Sequence, residues 1–305
     1  MASKVFEIVT EKIIELLEKG VVPWHRPWKA GVGAPCNLIS NKPYRGINAF
    51  LLGMTFYSSR YWLSFNQVKQ LGGWVRKGEK ASMVVFFKKY KKTTAETNQE
   101  DEIDINRFNS FVLRYYYVFN SDQVEGVDHK RLVEASESIK NLAEFNPIEK
   151  CEAFWNGYKN APELKHDQQR AFYRPAHDLI NMPVKTSFDS ENEYYSTLFH
   201  EMIHSTGHEA RLNRKGIAEL SAFGGHEYSK EELIAEMGAA FLCAYAEIEN
   251  KTIDNQAAYI SNWLSALKQK NNFRLVIDAA SAAQKATDLI LGIKKEDKAE
   301  QEEGE

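Results

Sequence analysis

His200-Glu201-Met202-Ile203-His204 sets two imidazoles four residues apart, with a carboxylate beside the first. On an α-helix, positions i and i+4 lie one turn apart on the same face, so both rings can point at one tetrahedral cation. Zinc held by three protein ligands keeps a fourth position for water and lowers that water's pKa to about 7. A carboxylate at Glu201 then stands where it can take the proton as water attacks a peptide carbonyl. These five residues therefore predict metal-assisted hydrolysis, with Glu201 as general base, His200 and His204 as ligands and Zn²⁺ as the metal. Mn²⁺, Co²⁺ or Ni²⁺ would suit similar donors.

The flanking residues predict the helix this chemistry needs. Ser190 and Glu193 form a capping box. Tyr195, Leu198, Phe199, Met202 and Ile203 recur at helical spacing, leaving the histidines on the other face, and Gly207 supplies the stop. A third ligand is required. Position 210, where metzincins carry a third histidine, is Ala210. A second helix from Ser229 through Ala246 instead places Glu232 and Glu236 on one face. This arrangement resembles the gluzincins, which implies Glu232 as ligand and Glu236 as the group that orients a ligating histidine. Alternatively Glu232 closes a capping box with Ser229, and Glu236 is the ligand. His208 is a group beside the metal ligands or an exposed residue past the helix end. His177 reads as a surface turn, and Tyr228 as a packing residue or an oxyanion donor. Asp178-Leu179-Ile180 is the expected edge strand that holds an extended peptide.

Charge divides the chain. Residues 1–92 hold 16 Lys or Arg against 5 Glu and no Asp, a balance of +11, so the remainder carries −14. A basic first third points to a polyanion. Within it, Pro23-Trp24-His25-Arg26-Pro27-Trp28-Lys29 interleaves indoles with cations, as stacking on unpaired bases requires. Lys42, Tyr44 and Arg45 suit backbone contacts, and Trp74, Arg76, Lys77 and Lys80 lie in a basic, glycine-punctuated turn. Helices are expected over 3–19 and within 49–56, strands over 82–90 and 111–120, and a hairpin loop over 91–106. No phosphate-cradling loop is present.

Val22-Pro23-Trp24, Asn37, Tyr44-Arg45-Gly46-Ile47-Asn48, Trp62, Gln67, Gly72-Gly73 and Val75-Arg76-Lys77-Gly78-Glu79-Lys80 together resemble the N-terminal single-stranded-DNA-binding domain of ArdC-type antirestriction proteins. A related module occurs in plasmid primases of the TraC type. Thr206-Gly207-His208, Arg211-Leu212-Asn213-Arg214, Phe223-Gly224 and Glu231 to Ala240 are similar to that family's zincin-like domain. The resemblance implies a cytosolic protein that binds single-stranded DNA and protects incoming mobile-element DNA from host restriction. Host restriction enzymes or another protein are then the expected protein partners. It leaves open a coating module whose zinc is structural, and a DNA-responsive protease that cleaves a repressor.

The fold expected is α+β. A single-stranded-DNA-binding domain covers 1–125, a linker 126–148, a zincin-like domain 149–293 and a disordered acidic tail 294–305. Cys36, Cys151 and Cys243 are scattered and odd in number, as in a reducing cytoplasm. Neither a signal peptide nor a membrane span is expected.

Overall fold

The computed structural model describes residues 2–24, 34–55, 57–89, 111–127, 147–218, 226–250, 261, 263–265, 267–268 and 274–294. Arg26 and Trp28, the 91–106 loop, most of the 126–148 linker and the tail from 295 lie outside the described residues. The chain forms two compact units, Met1–Pro23 with Pro27–Asn141 and Ala257–Ile277, and Trp24–Arg26 with Leu142–Gln256 and Asp278–Glu305. Helices and sheets occur in both, and the fold is α+β.

The first unit opens with α1 (Ala2–Glu18), whose Phe6, Val9, Ile13 and Leu17 are buried at helical spacing. Lys268 pairs with Glu18 at 2.7 Å, and Arg274 lies over the Phe6 ring. A four-stranded sheet follows in the order β1 (Cys36–Asn37), β2 (Tyr61–Ser64), β5 (Phe111–Asn120), β4 (Ser82–Lys89). Strand β5 pairs antiparallel with both neighbours, Val118 facing Ser82 on one side and Ser64 on the other. Leu52 of α2 (Ile47–Gly53) packs on Trp62, Val84 and Val118.

The polar residues of the first motif are used in construction. Ser64 and Gln67 make a capping box at the start of α3 (Phe65–Gln70), and the Asn37 amide donates to Gln67 at 3.1 Å. Asn48 reaches the outer edge of β4. Its amide nitrogen donates to the Val85 carbonyl, and its oxygen accepts the Val85 N–H, both at 2.7 Å. Strand β3 (Trp74–Val75) pairs with β6 (Val124–Glu125), and the Trp74 ring lies where a side chain on Gly126 would stand.

In the second unit, α4 (Pro147–Gly157) is followed by a three-stranded sheet in the order β7 (Glu163–Lys165), β9 (Leu179–Asn181), β8 (Phe172–Arg174). Then come α5 (Glu191–Ser205), the short α6 (Lys215–Ala218), α7 (His226–Ala246) and α8 (Leu275–Ile290). Tyr195, Leu198, Phe199, Met202 and Ile203 are all buried, as the spacing predicts. Ser190 accepts the Glu193 N–H, whereas the Glu193 carboxylate accepts from Asp189, one residue before the expected position.

Helix α7 begins before Ser229, so Ser229 lies inside it and the capping-box alternative for Glu232 fails. Helices α5 and α7 meet at Gly238, where a Cβ would fall 2.6 Å from Ile203 Cδ1. Gly238→Ala should gain about 1 kcal/mol from helix propensity if the crossing is slack. The contact predicts the opposite sign, a loss of about 1–3 kcal/mol from overpacking, readable by urea denaturation.

Candidate metal centre

Helix α5 brings its two histidines to one point. The Nε2 atoms of His200 and His204 lie 3.0 Å apart, and Glu232 from α7 sets its oxygens 3.6 Å from the first and 3.5 Å from the second. Two nitrogens on one tetrahedral zinc would stand about 3.3 Å apart, and a nitrogen and a carboxylate oxygen slightly more. Among the described residues, His200, His204 and Glu232 are the group whose donor atoms converge this way.

The other ring nitrogens argue for the same direction. Both Nδ1 atoms are buried without a hydrogen bond, yet each faces an acid. Glu236 Oε1 is 3.6 Å from His200 Nδ1, and Glu231 Oε1 is 3.4 Å from His204 Nδ1. Carboxylates behind the outer nitrogens favour the tautomer that leaves each Nε2 a lone pair for metal. Burial lowers the His200 pKa, but Glu232, Glu236 and Glu201 outweigh it and raise it to about 10. A field that draws a proton this strongly also draws a divalent cation.

Glu231 is the residue that sequence reasoning missed. It is almost fully buried, and burial alone would push its carboxyl up. Arg214 overrides this and holds the group below the usual carboxylate range. The guanidinium grips both Glu231 oxygens and also donates to Thr206 Oγ1 at 2.6 Å and the Ile203 carbonyl at 2.8 Å. Arg214 thus fastens the end of α5 to the start of the ligand-bearing turn of α7. The signal was in the Arg-Leu-Asn-Arg run, but only the fold shows what the second arginine reaches.

Arg211 makes the matching lock toward the sheet. It pairs with both oxygens of Asp178 and donates to the Ser205 and Asn160 carbonyls at 2.8 Å. Tyr173 Oη donates to the same carboxylate at 2.8 Å. Burial works against the Asp178 charge, but Arg211 and Tyr173 keep its pKa low. Asp178 is therefore an anchor, held in the left-handed region at φ 45°.

This corrects the expected substrate strand. Leu179 and Ile180 belong to β9, which is the central strand, with β7 on one side and β8 on the other. Its backbone is committed, and Ile180 is fully buried. The strand beside α5 with an edge to offer is β8, which pairs with β9 alone among the described strands. Glu201 is a buried carboxylate whose pKa burial raises, with the His200 and His204 rings and the Tyr173 backbone of β8 pulling the other way.

Other predicted residues fall elsewhere. His208 accepts the Ala210 N–H at 3.2 Å in the turn after α5, and His177 is exposed in a turn. The Tyr228 side chain is outside the described residues. Trp24 is fully buried and offers no face for stacking, which removes it from the expected DNA contacts. Tyr44 is largely enclosed, and Arg76 is spent on Glu79 and the Asp122 carbonyl. Trp74, Lys42, Lys77 and Lys80 are exposed, and Arg45 is half-buried.

Comparison with known proteins places both units. Residues 3–119 match the N-terminal domain of the anti-restriction factor ArdC, and 149–282 match the zincin-like metallopeptidase family. The crystal structure of the antirestriction ArdC protein from plasmid R388 is similar in its metal-free form at 35% identity and TM-score 0.72, covering 94% of this chain and 96% of that one. Its Mn(II)-bound form gives TM-score 0.71 at the same identity, covering 94% of this chain and 97% of that one. The chain belongs to the ArdC family of antirestriction proteins. The protein y4eC of Sinorhizobium fredii is 32% identical across 94% of this chain and 91% of its own length. The DNA primase TraC of Escherichia coli is 31% identical across 97% of this chain, which spans only 28% of that protein. As an ArdC-type chain it carries a zincin-like domain, whose name denotes zinc chemistry.

Removal of the orienting carboxylates should separate their role from that of the ligands. Glu231→Gln and Glu236→Gln should each weaken metal binding by about 10–100-fold, whereas Glu232→Ala should abolish it. Competition against a chromogenic chelator reads both.

Proposed function

We propose that this protein binds single-stranded DNA through its basic first unit, protects incoming DNA from restriction, and hydrolyses a protein target at the His200, His204 and Glu232 site. The convergence of those three donors beside Glu201 carries the hydrolytic part. The ArdC and TraC relatives and the +11 charge of residues 1–92 support the DNA part. Reduced thiols at Cys36, Cys151 and Cys243 agree with a cytoplasmic site of action. Among the described residues, no helix is long and apolar enough to cross a membrane.

In the mechanism, His200, His204 and Glu232 would hold Zn²⁺, and Mn²⁺ is compatible with the same donors. Such a cation would supply Lewis-acid chemistry, lowering the pKa of a water and polarising a carbonyl. Glu201 accepts a proton on its carboxylate and returns it to the departing amine. Its raised pKa, caused by burial, suits that exchange. The edge of β8 aligns an extended peptide by backbone hydrogen bonds, with Tyr173 at the catalytic end. Arg211 and Asp178 hold that edge to the end of α5, and Arg214 and Glu231 hold α5 to α7.

One observation favours a second reading. The His200, His204 and Glu232 side chains are only 14%, 11% and 12% exposed, the enclosure expected of a metal that serves the fold. On that reading the protein coats single strands and protects them by occupancy.

Glu201→Gln separates the two. It should retain metal and DNA binding but lose proteolysis and antirestriction by at least about 100-fold if hydrolysis is required. Full antirestriction in a transfer assay would favour coating. Binding to a single strand should also weaken as salt rises and exceed binding to duplex, because stacking needs exposed bases. Equal affinity for duplex would remove the single-strand reading.

A further inference from the structure

The run Arg114-Tyr115-Tyr116-Tyr117 lies on β5 where that strand pairs with β4 and runs past the end of β2, whose pairing stops at Val118. Tyr115, Tyr116 and Tyr117 are 43%, 42% and 54% exposed, three large rings in succession at the surface. Alternation puts Tyr116 on the face that carries Val84, Val118 and Trp62, and Tyr115, Tyr117 and Phe119 on the opposite one. The Tyr115 and Tyr117 rings lie 5.7 Å apart, edge to face. Phe119 lies 6.4 Å from Phe65, which opens α3 and is also exposed. Lys69 sets its ammonium 4.8 Å from the Phe65 ring. Four aromatic rings thus run along one sheet face with a cation at one end.

We infer that this row, Tyr115, Tyr117, Phe119 and Phe65, is the surface on which unpaired bases stack. The inference rests on the single-strand binding proposed above and names its location. Charge chooses the occupant, because residues 1–92 carry +11 with no Asp, and a strong positive balance draws a polyanion. The rings choose the single strand, because half-exposed aromatic faces stack with unpaired bases. Duplex presents no free base faces to such a row. The surface also accounts for Tyr115 and Tyr117, whose rings the packing of the sheet leaves at the surface.

The test uses the full-length protein and a fluorescein-labelled oligothymidylate, read by anisotropy across a salt series. Tyr115→Ala with Tyr117→Ala should weaken binding by about tenfold or more per ring while leaving the slope of log K against log salt unchanged, since no phosphate contact is removed. Tyr115→Phe with Tyr117→Phe should bind like the parent. Thermal melting and metal content of all variants should match the parent, because these side chains are on the surface. A parent that binds DNA while the alanine pair binds equally well would overturn the inference. So would loss of binding in Trp74→Ala alone, which would move the surface to β3. If sedimentation shows a parent dimer that the alanine pair converts to monomer with DNA affinity unchanged, the row is a contact between copies, and the inference fails. A parent that binds no single strand would refute the underlying reading itself.

Discussion

The crossing of α5 and α7 is the constraint on which the second unit depends. Two of the converging donors come from one helix and the third from the other, so the distance between helices sets the size of the site. Gly238 fixes that distance. With no side chain there, Ile203 closes against the α7 backbone, and nearly two turns earlier in α7 Glu232 is brought level with the imidazoles. The adjacent Glu231 and the following Glu236 then fall behind the two rings without further adjustment. Helical periodicity does this work, since positions i−1 and i+4 flank a residue at i on its two sides, about −100° and +40° around α7.

Packing carboxylates and imidazoles together inside a protein is expensive unless each charge has a partner. The two arginines of the Arg-Leu-Asn-Arg run meet that requirement. Arg214 answers Glu231 and ties off the Ile203 carbonyl and the Thr206 hydroxyl at the end of α5, and Arg211 answers Asp178 and the Ser205 and Asn160 carbonyls. Asn213, at φ 46°, turns the chain so that the two guanidiniums leave in different directions. The run caps the metal helix and connects it to both neighbours.

The helix of the candidate metal centre and the donors that converge there were legible because the chemistry imposes its own spacing. His200, Glu201 and His204 needed only a period, and Glu232 needed a second helix whose apolar stripe could be counted. The beginning of α7 was less legible, since it starts upstream of the serine that looks like a cap. The order of three short strands was not legible at all: β7, β8 and β9 have three residues each, too few for alternation to tell centre from edge. That is why Asp178, Leu179 and Ile180 were expected at an edge that β8 occupies. Trp24 looked like a stacking residue because its neighbours are basic, but burial is decided by distant parts of the chain. The tyrosines of β5 fall in a segment expected as a strand, and only the register, which carries β5 past the end of β2, shows their exposure.

The Asn48 side chain presents β4 with one donor and one acceptor, which is what the backbone of a further strand would present. It ends the sheet by imitation. A conformationally mobile peptide would have to displace a group already held by its helix, and would gain no new hydrogen bond at Val85. Because α2 carries this amide, the same residues that cover one face of the sheet also seal its border. Two chains meeting in a crowded cell are thereby denied the simplest route to joining sheets, and the first unit can display exposed aromatic rings with one less way to self-associate.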